Sequence, residues 1–146
     1  MFARILLAWD GSQVALRAFD VAIDLTRRYE CELEVVSVAY SPSHAETSAD
    51  RSESSEAARR YLEATFDEVK DRAERAGVRV HQSILEADTP ARALLAHAQE
   101  HGFDLIVCGQ HHDRRAGRLL LRGVAQDLIA DAGTPVLVVG AVADRR

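Results

Sequence analysis

Short apolar runs alternate along the chain with longer stretches whose apolar residues recur every three or four positions. The runs contain the aliphatic residues typical of buried strands and cover 2–9, 32–40, 78–85, 103–108 and 134–139. The intervening stretches have the spacing of helices with one buried face, and their apolar positions fall within 15–26, 58–73, 91–98 and 121–132. The chain therefore predicts the element order βαβαβαβαβ.

This order of elements determines the predicted architecture. Strands that alternate with helices of this length pair in parallel through right-handed crossovers. We expect a single α/β domain over 1–146, a three-layer sandwich around a five-stranded, mostly parallel sheet. The third strand alternates apolar and polar residues and the fifth is the last one added, so both are expected at sheet edges. The polar, serine-rich stretch 41–57 predicts a mobile loop.

The sequence Asp10-Gly11-Ser12 directly follows the first apolar run. One interpretation is a plain junction of strand, turn and helix, in which Ser12 caps the helix. The other is a ligand loop, in which Asp10 accepts a hydrogen bond from a ribose or a base and the helix amides face an anion. Parallel sheets bind ligands beyond the carboxyl ends of their strands, where the strand order reverses. Because Asp10 lies at such an end, both interpretations stay open.

A second candidate loop, 109–117, follows the fourth predicted strand. Gly109 would let the backbone approach a ligand closely, and the arginines at 114, 115, 118 and 122 could neutralise phosphates. The alternative is a solvated loop whose charges bind nothing specific. Neither G-x-G-x-x-G nor the Walker pattern G-x-x-x-x-G-K-[ST] is present, so those two phosphate-binding mechanisms are excluded.

Composition and charge narrow the function classes. Eighteen basic and 23 acidic residues give a net charge of −5, which disfavours general attraction to nucleic acid or to an anionic membrane. No apolar run approaches the roughly 18 residues of a membrane span, and Asp10 interrupts the first run where a signal peptide would continue. Two cysteines, Cys31 and Cys108, are too few for a disulfide framework and are expected to be reduced thiols. We therefore expect a cytoplasmic protein.

Three segments, found in the correct order, resemble the universal stress protein family. The sequence ILLAWDGS at 5–12 is similar to the family's first strand, which ends in a hydrophobic residue followed by Asp-Gly-Ser. The sequence DLIVCG at 104–109 is similar to its fourth strand, and 119–124 with TPVLVV at 134–139 resemble its closing helix and strand. The resemblance covers essentially the whole chain. It implies a Rossmann-like topology of the adenine-nucleotide α-hydrolase type and pairing of two chains through the last strand.

The phosphate-binding motif of this family is altered here. Its nucleotide-binding members carry G-x-x-G, nine further residues and then G-[ST]. The first glycine is Gly109, but His112 replaces the second, Arg122 the third and Gly123 the hydroxyl residue. A shift of one residue makes Gly123 the third glycine and puts Val124, which has no hydroxyl, after it. A glycine needed for close phosphate approach is not replaced by histidine or arginine without moving the loop. The resemblance therefore implies a degraded nucleotide-binding loop.

Other positions of the family's nucleotide site are matched or changed. Asp10 matches the family's contact to ribose or adenine. Trp9 stands where the family has a small aliphatic residue, and we expect its ring to line the cleft and to crowd the adenine slot. If a nucleotide is bound, the resemblance assigns its contacts to Trp9, Asp10, Ala39, Gly109, His112, Arg122, Gly123 and Val124.

The remaining candidate chemistry is weaker. In His111-His112-Asp113 adjacent side chains diverge, which is unfavourable for a shared metal. His97 and His101 have i, i+4 spacing but lack the glutamate of H-E-x-x-H, and a polar helix face accounts for them. The nucleophile pattern G-x-S-x-G is absent. No metal ligand and no catalytic residue is assigned.

The interpretation that fits these residues best is a non-catalytic stress-response module that binds ATP weakly or not at all. The alternative is an ATP- or AMP-binding sensor in which Arg118 or Arg122 replaces the missing donors. A small nucleotide hydrolase ranks last because no general base is placed. Such a module is expected to act on a further protein partner, and on neither nucleic acid nor membrane.

The last predicted strand carries no lysine and no charge that would protect an exposed sheet edge. We therefore expect a homodimer. Its interface would consist of Val136, Leu137, Val138 and Val139.

Overall fold

The computed structural model describes residues 1–41, 48–111 and 123–141, without the side chains of 48–52 and 54. Strands and helices alternate along these residues. In chain order they are β1 (Arg4–Ala8), α1 (Gln13–Tyr29), β2 (Glu32–Tyr40), α2 (Ser48–Ala76), β3 (Val80–Ala87), α3 (Pro90–Glu100), β4 (Leu105–Gly109), α4 (Val124–Asp131) and β5 (Val136–Val139). The five strands form one sheet in the order β3-β2-β1-β4-β5, and every pairing is parallel. The predicted α/β fold class is confirmed, as are the edge positions of β3 and β5.

Two apolar layers cover the sheet because alternate residues of each strand point to opposite faces. In β1, Ile5 and Leu7 belong to the layer that contains the buried residues of α1 and α2. Leu6 and Ala8 belong to the layer formed with α3 and α4. β1 is thus buried on both faces, which explains why its sequence is continuously apolar.

A carboxylate links the amino ends of the neighbouring strands β1 and β4. The Asp104 side chain, just before β4, accepts hydrogen bonds from the backbone N–H of Ala3 at 2.8 Å and of Arg4 at 3.1 Å. Asp104 therefore ties the start of β4 to the start of β1 and has a structural role.

The mobile loop predicted over 41–57 is wrong from residue 48 onwards. Helix α2 begins at Ser48, so residues 48–57 are helical, and 42–47 lie outside the described residues. The first turns of α2 are rich in serine and charge and contain no apolar period that would reveal a helix. Two exposed ion pairs lie at this part of α2: Arg60 pairs with Glu56 one turn away, and Arg59 reaches Glu86 at the end of β3.

Several local predictions can be compared with the structure. Ser12 caps α1 as predicted, because its Oγ accepts a hydrogen bond from the Ala15 N–H at 3.1 Å. Thr89 precedes Pro90 at the start of α3, but its hydroxyl donates to Asp88 and makes no capping bond.

Cys31 and Cys108 are both free thiols, as expected. No helix among the described residues is long and apolar enough to cross a membrane.

Candidate functional site

The strand order reverses between β1 and β4. The chain proceeds from β1 to β2 and β3 on one side of the sheet, and then crosses to β4 and β5 on the other. A crevice forms at the carboxyl ends of strands at such a reversal, and ligands of α/β proteins bind there. The topology therefore places the candidate site at Asp10-Gly11-Ser12, which follow β1, and at Gln110 and His111, which follow β4. The sequence had pointed to both of these loops.

Asp10 is a buried charged residue at this candidate site. Its side chain is fully buried, and both carboxylate oxygens have partners. Oδ1 accepts a hydrogen bond from the Ser12 backbone N–H at 2.9 Å, and Oδ2 lies 2.9 Å from Nε2 of His111. Because an ionised carboxylate can only accept hydrogen bonds, Nε2 carries the hydrogen and donates the hydrogen bond to Oδ2. Asp10 therefore joins the loop after β1 to the loop after β4.

Asp10, His111 and Ser12 are the residue types of a hydrolytic triad, but their geometry differs from one. A triad needs one imidazole nitrogen on the carboxylate and the other on the serine. Here Nε2 of His111 faces both groups, 2.9 Å from Asp10 and 3.4 Å from the Ser12 hydroxyl. Ser12 Oγ also caps α1. The arrangement does not activate a nucleophile.

Helix α2 lies directly over the loop that follows β1. Gly11 has a φ of +80°, and a Cβ at this position would lie 2.7 Å from Cγ2 of Thr65 and 3.2 Å from the hydroxyl of Tyr61. A side chain at Gly11 would therefore meet both backbone strain and a steric clash. The close contact explains why glycine follows Asp10.

Trp9 lies in the core, directly after β1 and next to Asp10. Its ring is 2% exposed and packs in the apolar layer with Ile5 and Leu7. Its Nε1 donates a hydrogen bond to Oγ1 of Thr65 at 3.0 Å. The indole is thus a core group that anchors α2, and nothing in this placement supports a narrowed adenine slot.

Gly109 is a close-approach glycine, but the neighbouring group is within the chain. A Cβ here would lie 2.8 Å from the carbonyl oxygen of Val14 and 2.9 Å from its carbonyl carbon. The first turn of α1 therefore packs directly on the end of β4. The sequence had suggested close approach to a ligand instead.

The other predicted contact residues that the structure describes lie near the carboxyl end of β2 and at the start of α4. Ala39 is buried near the end of β2, and Val124 is 4% exposed and packs in the α3 and α4 layer. Gly123 caps the start of α4 with a φ of +73°. His112 and Arg122 lie outside the described residues, as do the arginines at 114, 115 and 118.

A second polar cluster joins β2, β3 and α3 away from this crevice. Oε1 of Glu34 accepts hydrogen bonds from Nε2 of His97, at 3.0 Å, and from the hydroxyl of Ser83. Burial alone would raise the pKa of Glu34, but these two hydrogen bonds together with the electrostatic attraction of His97 and Arg4 outweigh it and leave the pKa below its ordinary value of 4.5. Within the described ranges, no group of three or more His, Cys, Asp or Glu residues could hold a metal ion.

The sequence and the fold of this chain both match those of known proteins. The model of the universal stress protein family matches residues 1–140. The chain belongs to the universal stress protein family. A universal stress protein of Methanocaldococcus jannaschii is 31% identical over 141 residues, which cover 95% of this chain and 82% of that protein.

Solved structures of universal stress proteins share the fold. One from Burkholderia pseudomallei is 30% identical, with a TM-score of 0.78 over 96% of this chain and 97% of that one. Another, solved in complex with cAMP, is 26% identical, with a TM-score of 0.71 over 94% and 97% of the two chains. The resemblance inferred from the three sequence segments is confirmed.

In this universal stress protein, sequence reasoning missed the contact between His111 and Asp10. The sequence presents His111 as a weak metal-ligand candidate and Asp10 as a ligand contact, with no sign that the two pair. The available signal was that each residue follows one of the two central strands, whose carboxyl ends are neighbours in the sheet.

Proposed function

We propose that this universal stress protein is a non-catalytic module that binds an adenine nucleotide weakly at the crevice between β1 and β4. The observation that carries the proposal is the state of Asp10. Its carboxylate lies at the point where the strand order reverses, but it is buried and both oxygens already have donors. Because no part of the carboxylate is exposed, a ligand must displace one of these partners to reach Asp10, and this displacement lowers its affinity.

The class of ligand is supported by the family. A universal stress protein 26% identical to this chain has been solved in complex with cAMP. Asp10 matches the position of the family's ribose or adenine contact, and a carboxylate suits a ribose hydroxyl donor. The altered positions His112, Arg122 and Gly123 remove features that would hold the phosphates. ATP and AMP are therefore the ligands to test.

Absence of catalysis is supported by the chemistry of the described side chains. His111 does not activate Ser12, because the same nitrogen, Nε2, faces both the Ser12 hydroxyl and Asp10. Burial raises the pKa of Cys108 to about 11, so this thiol is protonated and a poor nucleophile at neutral pH. We place the module in the cytoplasm, where such thiols stay reduced, and propose that it acts as a homodimer on a protein partner.

A tighter ATP or AMP sensor is the second candidate. The observation that favours it is the retention of an acidic residue, Asp10, at the crevice. In that case the loop after β4 would supply phosphate donors that differ from those of the family motif.

Isothermal titration calorimetry with ATP and AMP separates the two candidates. We expect dissociation constants above about 100 μM, further weakened in Asp10→Ala and unchanged in the surface control Asp24→Ala. No phosphate release from ATP is expected. A dissociation constant in the low micromolar range, about −8 kcal/mol, would favour the sensor. No binding at millimolar nucleotide would overturn the proposed site.

A further inference from the structure

The donor that a ligand would have to replace at Asp10 can be identified. Oδ1 is bonded to the backbone N–H of Ser12, which belongs to the turn that starts α1. That bond cannot be exchanged without disrupting the turn. Oδ2 is bonded to a side chain, His111, which can leave it by a change of rotamer and without a change in the backbone. Oδ2 is therefore the oxygen that a ligand can reach.

We propose that His111 is an internal competitor for Asp10, so that a ribose hydroxyl binds by displacing the imidazole from Oδ2. This inference rests on the proposed function and names the residue that sets its affinity. The His111 side chain is 8% exposed and that of Asp10 is fully buried, so a hydroxyl cannot add to the pair from solvent. The imidazole covers Oδ2, so a ribose hydroxyl and His111 cannot both lie against this buried oxygen, and their binding is mutually exclusive.

The consequence is a specific energy cost of binding. A hydrogen bond to a charged partner is among the stronger ones in proteins, and breaking it opposes the ligand. Removing the imidazole removes this cost and leaves Asp10 in need of a donor. Loss of His111 should therefore strengthen the binding of ribose-containing ligands, whereas loss of a residue that contacts the ligand would weaken it.

Three variants test the direction of this effect by calorimetry with AMP. We expect His111→Ala to bind AMP about tenfold more tightly than the unmodified protein. His111→Gln should stay close to the unmodified protein, because its amide N–H can still donate to Oδ2. His81→Ala removes an exposed histidine on β3 and should change nothing. Adenine without a ribose should bind equally to all variants.

A second measurement uses the unmodified protein, in case His111→Ala does not fold. With ¹⁵N-labelled histidine, the Nε2 signal of His111 is assigned by its loss in His111→Gln. Saturating AMP should shift this signal from that of a carboxylate-bonded N–H to that of a solvated imidazole.

The outcomes separate this inference from the proposed function. Binding of AMP with an unmoved His111 signal, or equal or weaker binding by a folded His111→Ala, would overturn the competitor role and leave the nucleotide site intact. Binding by none of the proteins at millimolar AMP would overturn the proposed function, and this inference with it. Tighter binding by His111→Ala together with a shifted signal supports both.

Discussion

At the scale of single residues, the positions that look like ligand contacts are first of all contacts within the chain. Asp10 holds two loops together through Ser12 and His111. Gly109 admits the first turn of α1, whose Val14 carbonyl would be within 2.8 Å of any Cβ. A site residue in this fold is therefore under structural constraint whether or not a nucleotide is bound.

Gly109 gives a direct test of that constraint. We expect Gly109→Ala to lower the free energy of unfolding by about 1–3 kcal/mol, because the added methyl group pushes against backbone atoms that cannot rotate away. The control is Gly133→Ala, where a Cβ would meet nothing within 4 Å. Urea denaturation of both variants measures the difference, and equal stabilities would show that α1 can shift away from β4 at little cost.

At the scale of secondary-structure elements, polar groups as well as apolar faces fix the packing. Glu34 of β2 links Ser83 of β3 to His97 of α3, and the Glu34 and His97 side chains are 14% and 13% exposed. A carboxylate in such surroundings is stabilised mainly by the hydrogen bonds that it accepts. The position of α3 therefore depends on the ionisation of Glu34.

This dependence predicts how stability changes with pH. The pKa of Glu34 is lowered on folding, so its contribution is present above the unfolded value and is lost as pH falls through the folded value. Below pH 4.5 the free energy of unfolding should fall more steeply in the unmodified protein than in Glu34→Gln. Urea titrations from pH 7 to pH 3 measure the two slopes. Parallel slopes would mean that Glu34 makes no net contribution to the pH dependence of stability. The control is Glu32→Gln, which removes an exposed carboxylate paired with Arg4.

The elements differ in how far the sequence predicts them. Strands β1 and β2 and helix α1 are marked by long apolar patterns and lie where the patterns place them. The start of α2 was missed because a helix that is polar on all sides has no apolar period. The burial of Trp9 could have been inferred, because it has the same strand parity as Ile5 and Leu7.

No local sequence pattern predicts the contact between Asp10 and His111. The two residues are 101 positions apart, and their approach follows from the strand order and not from local sequence. The sequence indicated which loops form the site, whereas the pairing that occupies Asp10 required the tertiary structure.

At the scale of the whole molecule, the two edges of the sheet differ. Edge strand β3 contains several polar residues, among them the consecutive His81, Gln82 and Ser83. Edge strand β5 is apolar throughout, and Leu137 is 37% exposed. The carbonyls of Pro135 and Val139 accept hydrogen bonds from the backbone N–H of Ile106 in β4 and of Gln110 just after it. By alternation, the backbone groups of Val136 and Val138 point towards the free edge, where they can pair with another chain.

A second copy of β5 would pair these groups on both chains about a two-fold axis. We therefore predict a homodimer through β5, with a light-scattering mass of twice 16.1 kDa at micromolar concentration. Val138→Lys should reduce the mass to 16.1 kDa, because the aliphatic stem can still pack while the charge protects the edge. Tyr40→Lys, at an exposed aromatic residue on β2, should remain dimeric. A monomeric unmodified protein would mean that the chain covers its own edge, and a dimeric Val138→Lys would place the interface elsewhere.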